Sequence, residues 1–154
     1  MRNSTRLGRT WSFLLAGIVL TGGALESSWA GAASLGGWSG KATDPTLTSC
    51  FVLTNGVFQP NSVKNICGTA SYDIPLLLNS GGSHTVTVAA TSPSSMPCTL
   101  FGLNQNGTIQ SQQSGSISSG TINLTVNVTG LGGSALLRCA MPNGASITSL
   151  NYNL

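Results

Sequence analysis

The sequence predicts an all-β protein: a single antiparallel β-sandwich of roughly eight short strands, with a small barrel as the alternative closure. Three observations carry this. Residues 121–129 read Thr-Ile-Asn-Leu-Thr-Val-Asn-Val-Thr, with Ile, Leu or Val at every even position and Thr or Asn at every odd one. A strand turns successive side chains to opposite faces, so this segment has one dry face and one wet face. Asn-Gly, the strongest short hairpin signal, recurs at 55–56, 106–107 and 143–144. Beyond the leading segment, no window of about 12 residues has a helical period.

The chain has 154 residues, room for one domain. Its first 30 residues have the form of a secretory signal peptide. Arg2, Arg6 and Arg9 precede an apolar run over 11–25, and Ser28-Trp29-Ala30 supplies the small residues of a cleavage site. The run is short for a bilayer span of about 20 residues. Cleavage after Ala30 gives a secreted chain, extracellular or periplasmic, and a bacterial origin is preferred. Beyond residue 30 the charged residues are Lys41, Lys64 and Arg138 against Asp44 and Asp73, a net charge of +1. Such a chain has no electrostatic footprint for nucleic acid or an acidic membrane. No second segment is long enough to span a membrane.

Taken in order, residues 31–48 form a loose lead-in of small residues, with Trp38 its one large apolar group. The disulfide-linked domain occupies 49–154. Cys50 to Thr54 is a strand and Asn55-Gly56 its turn. Val57-Phe58 begins the return, Pro60 ends it, and a loop runs to Cys67. Residues 72–78 are a strand with Tyr72, Ile74, Leu76 and Leu78 on one face. Pro75 cannot donate to a ladder, which places this strand at a sheet edge or on a bulge. Gly81-Gly82 turns the chain into a strand over 84–91 with Val86, Val88 and Ala90 inward. Ser92 to Pro97 is a loop fixed by two prolines. Residues 98–105 are apolar on both faces, as in a central strand, and return over 108–113. Residues 114–120 are a flexible polar connector to the strand at 121–129. A strand over 135–141 places Leu137, Cys139 and Met141 together, and 145–152 closes the fold.

Four cysteines in a small exported chain read as a disulfide framework. Cys50 and Cys67 bracket a hairpin-like loop. Cys98 begins one strand, and Cys139 faces inward from another. The preferred pairing is therefore Cys50–Cys67 and Cys98–Cys139. A zinc site is excluded, because no C-x-x-C pair exists and the one histidine is His84.

The residues carry no catalytic constellation. Asp44 and Asp73 are the only acids beyond residue 30, one in the lead-in and one on the outer face of an edge strand. Nothing brings them together as a glycosidase pair. His84 reads as a surface histidine beside a Gly-Gly turn, and no G-x-S-x-G elbow, P-loop or Rossmann fingerprint appears. No cofactor is implied. N-x-[ST] occurs at Asn106, Asn123 and Asn127, a pattern that chance supplies in a chain rich in Asn and Thr.

The order of signal peptide, Cys50, Cys67, Tyr72-Asp73-Ile74-Pro75-Leu76, Gly81-Gly82, the 84–91 strand, Cys98, Asn106-Gly107, Cys139 and Asn151-Tyr152 resembles small exported four-cysteine proteins of environmental bacteria that carry no assigned function. The resemblance spans most of the mature chain. It implies a compact disulfide-linked β-domain and brings no catalytic residues.

Two functions fit. The first is a non-catalytic binding or surface-interaction domain. Its candidate site is the segment closed by Cys50 and Cys67, where Phe58 offers stacking area, Gln59 and Asn61 offer hydrogen bonds, and Lys64 offers a charge. A disulfide at its base lowers the ordering cost of binding, and the mix suits a glycan or a protein surface. The second is a structural or self-assembling surface or fibre subunit, from the low charge, the Asn/Gln/Ser/Thr/Gly bias and the few charged edge residues. The Asn151–Leu154 end resembles that of pilus subunits with a tyrosine near the C-terminus.

Overall fold

The computed structural model of the protein describes residues 32–55, 60–130 and 132–153. Among these, nine strands occur: β1 Ala32–Gly36, β2 Lys41–Ala42, β3 Phe51–Asn55, β4 Pro60–Asn65, β5 Ala70–Leu77, β6 Gly82–Leu103, β7 Ile109–Val128, β8 Ser134–Met141 and β9 Ser146–Asn153. Two short 3₁₀ helices, Gly37–Ser39 and Pro45–Cys50, lie between β1 and β3. Every ladder is antiparallel. The leading segment with its cleavage site lies outside the described residues.

Two long strands build the sandwich. β6 runs for 22 residues and β7 for 20, and they pair as one hairpin from Gly82↔Val128 to Leu103↔Ile109. The first half of β6 pairs β9 over Val86↔Tyr152 to Thr91↔Ser146. Its second half pairs β8 over Cys98↔Cys139 to Leu103↔Ser134. One sheet therefore holds the first half of β6, the second half of β7, and β9, β4, β3 and β1. The other holds the remaining halves of β6 and β7 with β8, β5 and β2. The strand order is β2-β5-β8-β6-β9-β4-β3, with β1 on β9 and β7 on β6.

This corrects the expected loop at 92–97 and the connector at 114–120. Both lie inside strands. The register jumps between Thr91 and Met96, so Pro93 falls where β6 pairs with nothing in β7 and its missing N–H leaves no gap in the ladder. Just before this bulge Gly120, the partner of Ala90, takes φ +94°, a conformation that strains any residue with a Cβ. The hairpin bends there and passes from one sheet to the other. The loop expected before Cys67 is likewise strand β4, and Pro60 begins it instead of ending a strand. The lead-in is not loose: Ala32–Gly36 pairs with β9 and Lys41–Ala42 with β5.

The core lies between the sheets. Val86, Val88, Leu124, Val126, Val128 and Leu150 face Ile74, Leu76, Leu100, Leu137 and Met141, and all are buried in one cluster. Complete burial of such side chains stabilises by about 1.5–3 kcal/mol each. The expected inward faces of 72–78, 84–91 and 121–129 are those observed. Pro75 lies beyond the end of β2, where β5 is an edge among the described strands. Both disulfides form as paired above, Cys50–Cys67 and Cys98–Cys139, and no described cysteine is free. Cys98 and Cys139 are direct cross-strand neighbours within one sheet.

His84 is not on the surface. It is 2% exposed, with Nδ1 3.1 Å from the Asn153 carbonyl and Nε2 3.0 Å from the Ser80 carbonyl. It ties the turn before β6 to the end of β9.

Candidate functional site

β2 and β3 are the two ends of the strand order, one in each sheet. Between them the sandwich opens into a hollow of about 240 Å³. The chain crosses this seam twice, once through Gly37–Ser39 and once through Pro45–Cys50.

The first crossing presents Trp38. Three glycines let it lie flat on both sheets. A Cβ on Gly37 would stand 2.0 Å from the Ile147 carbonyl oxygen, and one on Gly40 would stand 2.3 Å from that of Asp73. The indole itself lies over Gly36, where a Cβ would meet Nε1 at 2.1 Å. Ser39 Oγ donates to the Gly36 carbonyl at 2.9 Å, and Tyr72 Oη donates to the Trp38 carbonyl at 3.4 Å. Trp38 is thus fixed in place while 44% exposed.

The opposite wall is β3. Phe51 and Leu53 share a face with buried Val63, the register partner of Leu53. The Phe51 ring lies 4.7 Å from that of Tyr72, tilted by 44°, and so reaches across the seam. Leu53 is 51% exposed at the mouth. Two constraints anchor this wall. The Cys50–Cys67 disulfide ties the start of β3 to the segment after β4. Asn65, fully buried, donates through Nδ2 to the carbonyls of Gly68 and Met141 at 2.6 Å each and accepts from Cys67 N–H at 3.0 Å. Sequence reasoning missed both Trp38 as a site residue and Asn65 as its support. The Gly-Gly-Trp-Ser-Gly run at 36–40 was the available signal, since glycines around one large aromatic mark close backbone approach.

Lys41 and Thr48 complete the rim. Beside them, burial would raise the Asp73 carboxyl. Hydrogen bonds from Arg138 and Thr43, with the charges of Arg138 and Lys41, outweigh it and hold the carboxyl below the usual carboxylate range. The Asp73–Arg138 pair is bidentate, at 2.7 and 2.8 Å. The guanidinium also lies 6.0 Å from the centre of the Phe101 ring.

The other candidate residues are placed differently. Phe58 and Gln59 lie outside the described residues, as does the side chain of Asn61. Lys64 is exposed but pairs with Val52, on the face of β3–β4 away from Leu53 and the hollow. Asp44, Asp73 and His84 are not brought together. Asp44 caps the second 3₁₀ helix through Thr46 N–H at 2.9 Å, while Asp73 and His84 have the partners given above. Among the described residues no group of three or more His, Cys, Asp or Glu could hold a metal ion. No helix among them is long and apolar enough to cross a membrane.

A larger hollow, about 440 Å³, lies at the far end of the β6–β7 hairpin, lined by Asn104, Gln105, Asn106, Gln110, Thr129 and Gly130. Several of its polar groups serve the chain itself. Asn104 Oδ1 accepts from Asn106 and Thr108 N–H, and Gln110 is bonded to Thr129 through both ends of its amide. It also lacks an apolar wall, so the seam is the better candidate.

No family model matches the sequence, and no curated protein matches it. Solved structures do match in fold. The CBM1 module of BiXyn10A superposes with a TM-score of 0.54 at 10% identity, over 79% of this chain and 92% of that one. The C-terminal CBM6 of LamC, a marine laminarinase from Zobellia galactanivorans, does so with a TM-score of 0.52 at 14% identity, over 80% of this chain and all of that one. The likeness is one of fold. The insecticidal crystal protein Cry2Aa matches equally well, with a TM-score of 0.54 at 9% identity, over 79% of this chain and 21% of its own length. A β-sandwich of this kind therefore occurs in carbohydrate-binding modules and in proteins of other description, and the site must carry the functional argument.

Proposed function

We propose that the chain is an exported, non-catalytic glycan-binding domain, with the Trp38 hollow as its site. The observation that carries this is a tryptophan immobilised by backbone contacts yet 44% exposed, at the mouth of an apolar hollow. A rigid aromatic offers a sugar ring apolar stacking area without an ordering cost. The fold likeness to carbohydrate-binding modules supports the reading by analogy, and two disulfides suit an oxidising compartment.

Affinity electrophoresis through gels containing soluble polysaccharides tests it. At least one polymer should retard the mature domain, and Trp38→Ala should weaken that retention about tenfold or more while leaving the circular dichroism unchanged. Retention by none of the polymers, or undiminished retention of Trp38→Ala, overturns the proposal.

A second reading, self-assembly, is favoured by the outer face of the sheet that holds β5. Leu77 is 76% exposed and Ile109 55% exposed there, aligned through Ser134 and Leu103 in the ladder. Concentration-dependent polymers on size exclusion would support it; a monomer up to high concentration would exclude it.

A further inference from the structure

We infer that the outer face of the β5-β8-β6-β7 sheet seats the chain on a neutral hydrocarbon surface, that of a wax or oil in contact with water; this is independent of the glycan site. Leu77, Ser134, Leu103 and Ile109 are register partners in one row across the four strands. Pro75, Leu136, Phe101 and Gln112 form the next row. Leu77 is 76% exposed, Ile109 is 55% exposed, Pro75 is exposed, and the other three apolar side chains are half-buried. The row beyond is charged and closes the patch. It holds Lys41, Asp73 and Arg138, and the Arg138 guanidinium lies 6.0 Å from the centre of the Phe101 ring.

Strands lie about 4.8 Å apart and rows about 7 Å apart, so the two rows cover roughly 300 Å². A patch of that size is ordinary for a monomer; its setting is not. A second copy meeting it face to face would bury that much on each side, where a stable pair needs about 800 Å². Stacking face to back would set it on the opposite outer face, which is wet. There Asn123, Thr87, Asn151 and Ser34 form one row, and over β7, β6 and β9 the rows on either side add only Ser, Thr, Asn and Ala. These polar groups order one another: Thr87 Oγ1 donates to Asn123 Oδ1 at 2.8 Å, and the Thr85 and Thr125 hydroxyls lie 2.9 Å apart. One broad face of the sandwich is thus oily and the other hydroxylated. A boundary between hydrocarbon and water satisfies both at once, and neither contact between copies does. Charge decides what the surface is made of. Lys41 and Arg138 against Asp73 leave one net positive charge beside the patch, whereas anionic headgroup layers are held by clusters of about 4–8 basic residues. The surface is therefore an uncharged one. The Trp38 hollow lies at the Tyr72 end of β5 and the patch at its Leu77 end, so the hollow stays open when the patch is covered.

The test measures adsorption of the mature domain to hexadecane droplets and to phosphatidylserine vesicles, with Leu77→Ser/Ile109→Ser as the variant. Both side chains are more than half exposed, so the double variant keeps its core, which circular dichroism checks. It should need about tenfold or more protein to cover the droplets to the same extent, and the wild type should prefer droplets to vesicles. Equal adsorption of wild type and double variant, or tighter binding to the vesicles, overturns the inference. So do concentration-dependent dimers on size exclusion that the double variant loses, since these give the face to a second copy. Trp38→Ala should adsorb as the wild type does, and the double variant should keep the wild type's retardation by polysaccharides, so this inference and the glycan reading stand or fall separately.

Discussion

Ser111 acts as a strand partner to Asn127 with its side chain alone. Its Oγ accepts from the Asn127 N–H at 2.8 Å and donates to the Asn127 carbonyl at 2.6 Å. Gln110 Oε1 takes the Thr129 N–H at 2.8 Å, and Gln113 Oε1 takes the Thr125 N–H. The two halves of β7 are the edges of the two sheets, and these side chains stitch one edge to the other. An open edge is a template for aggregation, which natural proteins blunt with charges. Here neutral hydroxyls and amides do the work.

Ser111→Ala should therefore cost about 0.5–1 kcal/mol for its two bonds. The more specific readout is hydrogen exchange. The Asn127 amide should exchange faster in the variant, while that of Val126, on the paired side of the strand, should not. Unchanged exchange at Asn127 would show that solvent serves it equally well.

Val126 is 1% exposed, and its neighbour Asn127 has an exposed side chain. Val126→Asp buries an unpaired charge and should cost more than about 3 kcal/mol, whereas Asn127→Asp should stay within about 0.5 kcal/mol. Chemical denaturation of both variants checks this. Comparable losses would mean that the register of β7 is shifted by one residue.

Acid should unfold the protein chiefly through one group. Asp44 and Asp73 are the only side-chain carboxyls beyond residue 30. Hydrogen bonds from Thr46 hold the Asp44 carboxyl below its usual range too, but it is fully exposed and solvent screens it, whereas Asp73 is gripped by both arms of Arg138. The Asp73 carboxyl is depressed in the fold, so its contribution is complete above the unfolded value of about 3.9. That contribution is lost as pH falls through the lower folded value. The melting temperature should drop between about pH 5 and pH 2. In Asp73→Asn it should start lower and vary less over the same range. A parallel pH profile in the variant would assign the acid sensitivity elsewhere.

The disulfides close loops with sequence separations of 17 and 41 residues. The chain-entropy account gives about 3 and about 4 kcal/mol for them. Cys98→Ala with Cys139→Ala should be the more destabilising pair in urea. Cys50→Ala with Cys67→Ala should be milder, yet should weaken glycan binding more, because that bridge anchors the Phe51–Leu53 wall. Equal effects on binding would separate the bridge from the site.

Much of this was legible wherever one face is dry and the other wet. Residues 72–78, 84–91 and 121–129 alternate cleanly, and their burial follows. Cys50 and Cys67 could be paired because they bracket one hairpin-like segment, and Cys98 and Cys139 because each sits on a recognisable strand. The corner at 92–95 was not legible, since prolines and serines signal a loop and a strand bulge alike. Residues 114–116 and 118–120 lie at the sandwich edge with both faces near solvent, so no alternation marks them as strand. Ala32–Gly36 pairs through its backbone and has few large side chains to announce it. The glycines around Trp38 mark a close backbone approach, but not that the approach is to both sheets at their seam, and His84 was misread because a neighbouring Gly-Gly turn does not show what β9 will cover.

The position of β9 bears on how the chain is made. β9 lies between β6 on one side and β4 and β1 on the other, so its sheet lacks a middle until residues 146–153 exist. Synthesis proceeds from the other end. A chain grown only through β8 carries Val86, Val88 and Val63 with no strand to join them, and its β1 has nothing to pair with. Ladders that join residue 32 to residue 153 are about as non-local as this fold allows, which places folding toward the slow, millisecond-to-second end of the range for small domains. The sheet of β2, β5 and β8 needs no part of β9, so it is the sheet of β1, β3 and β4 that must wait for the last described strand.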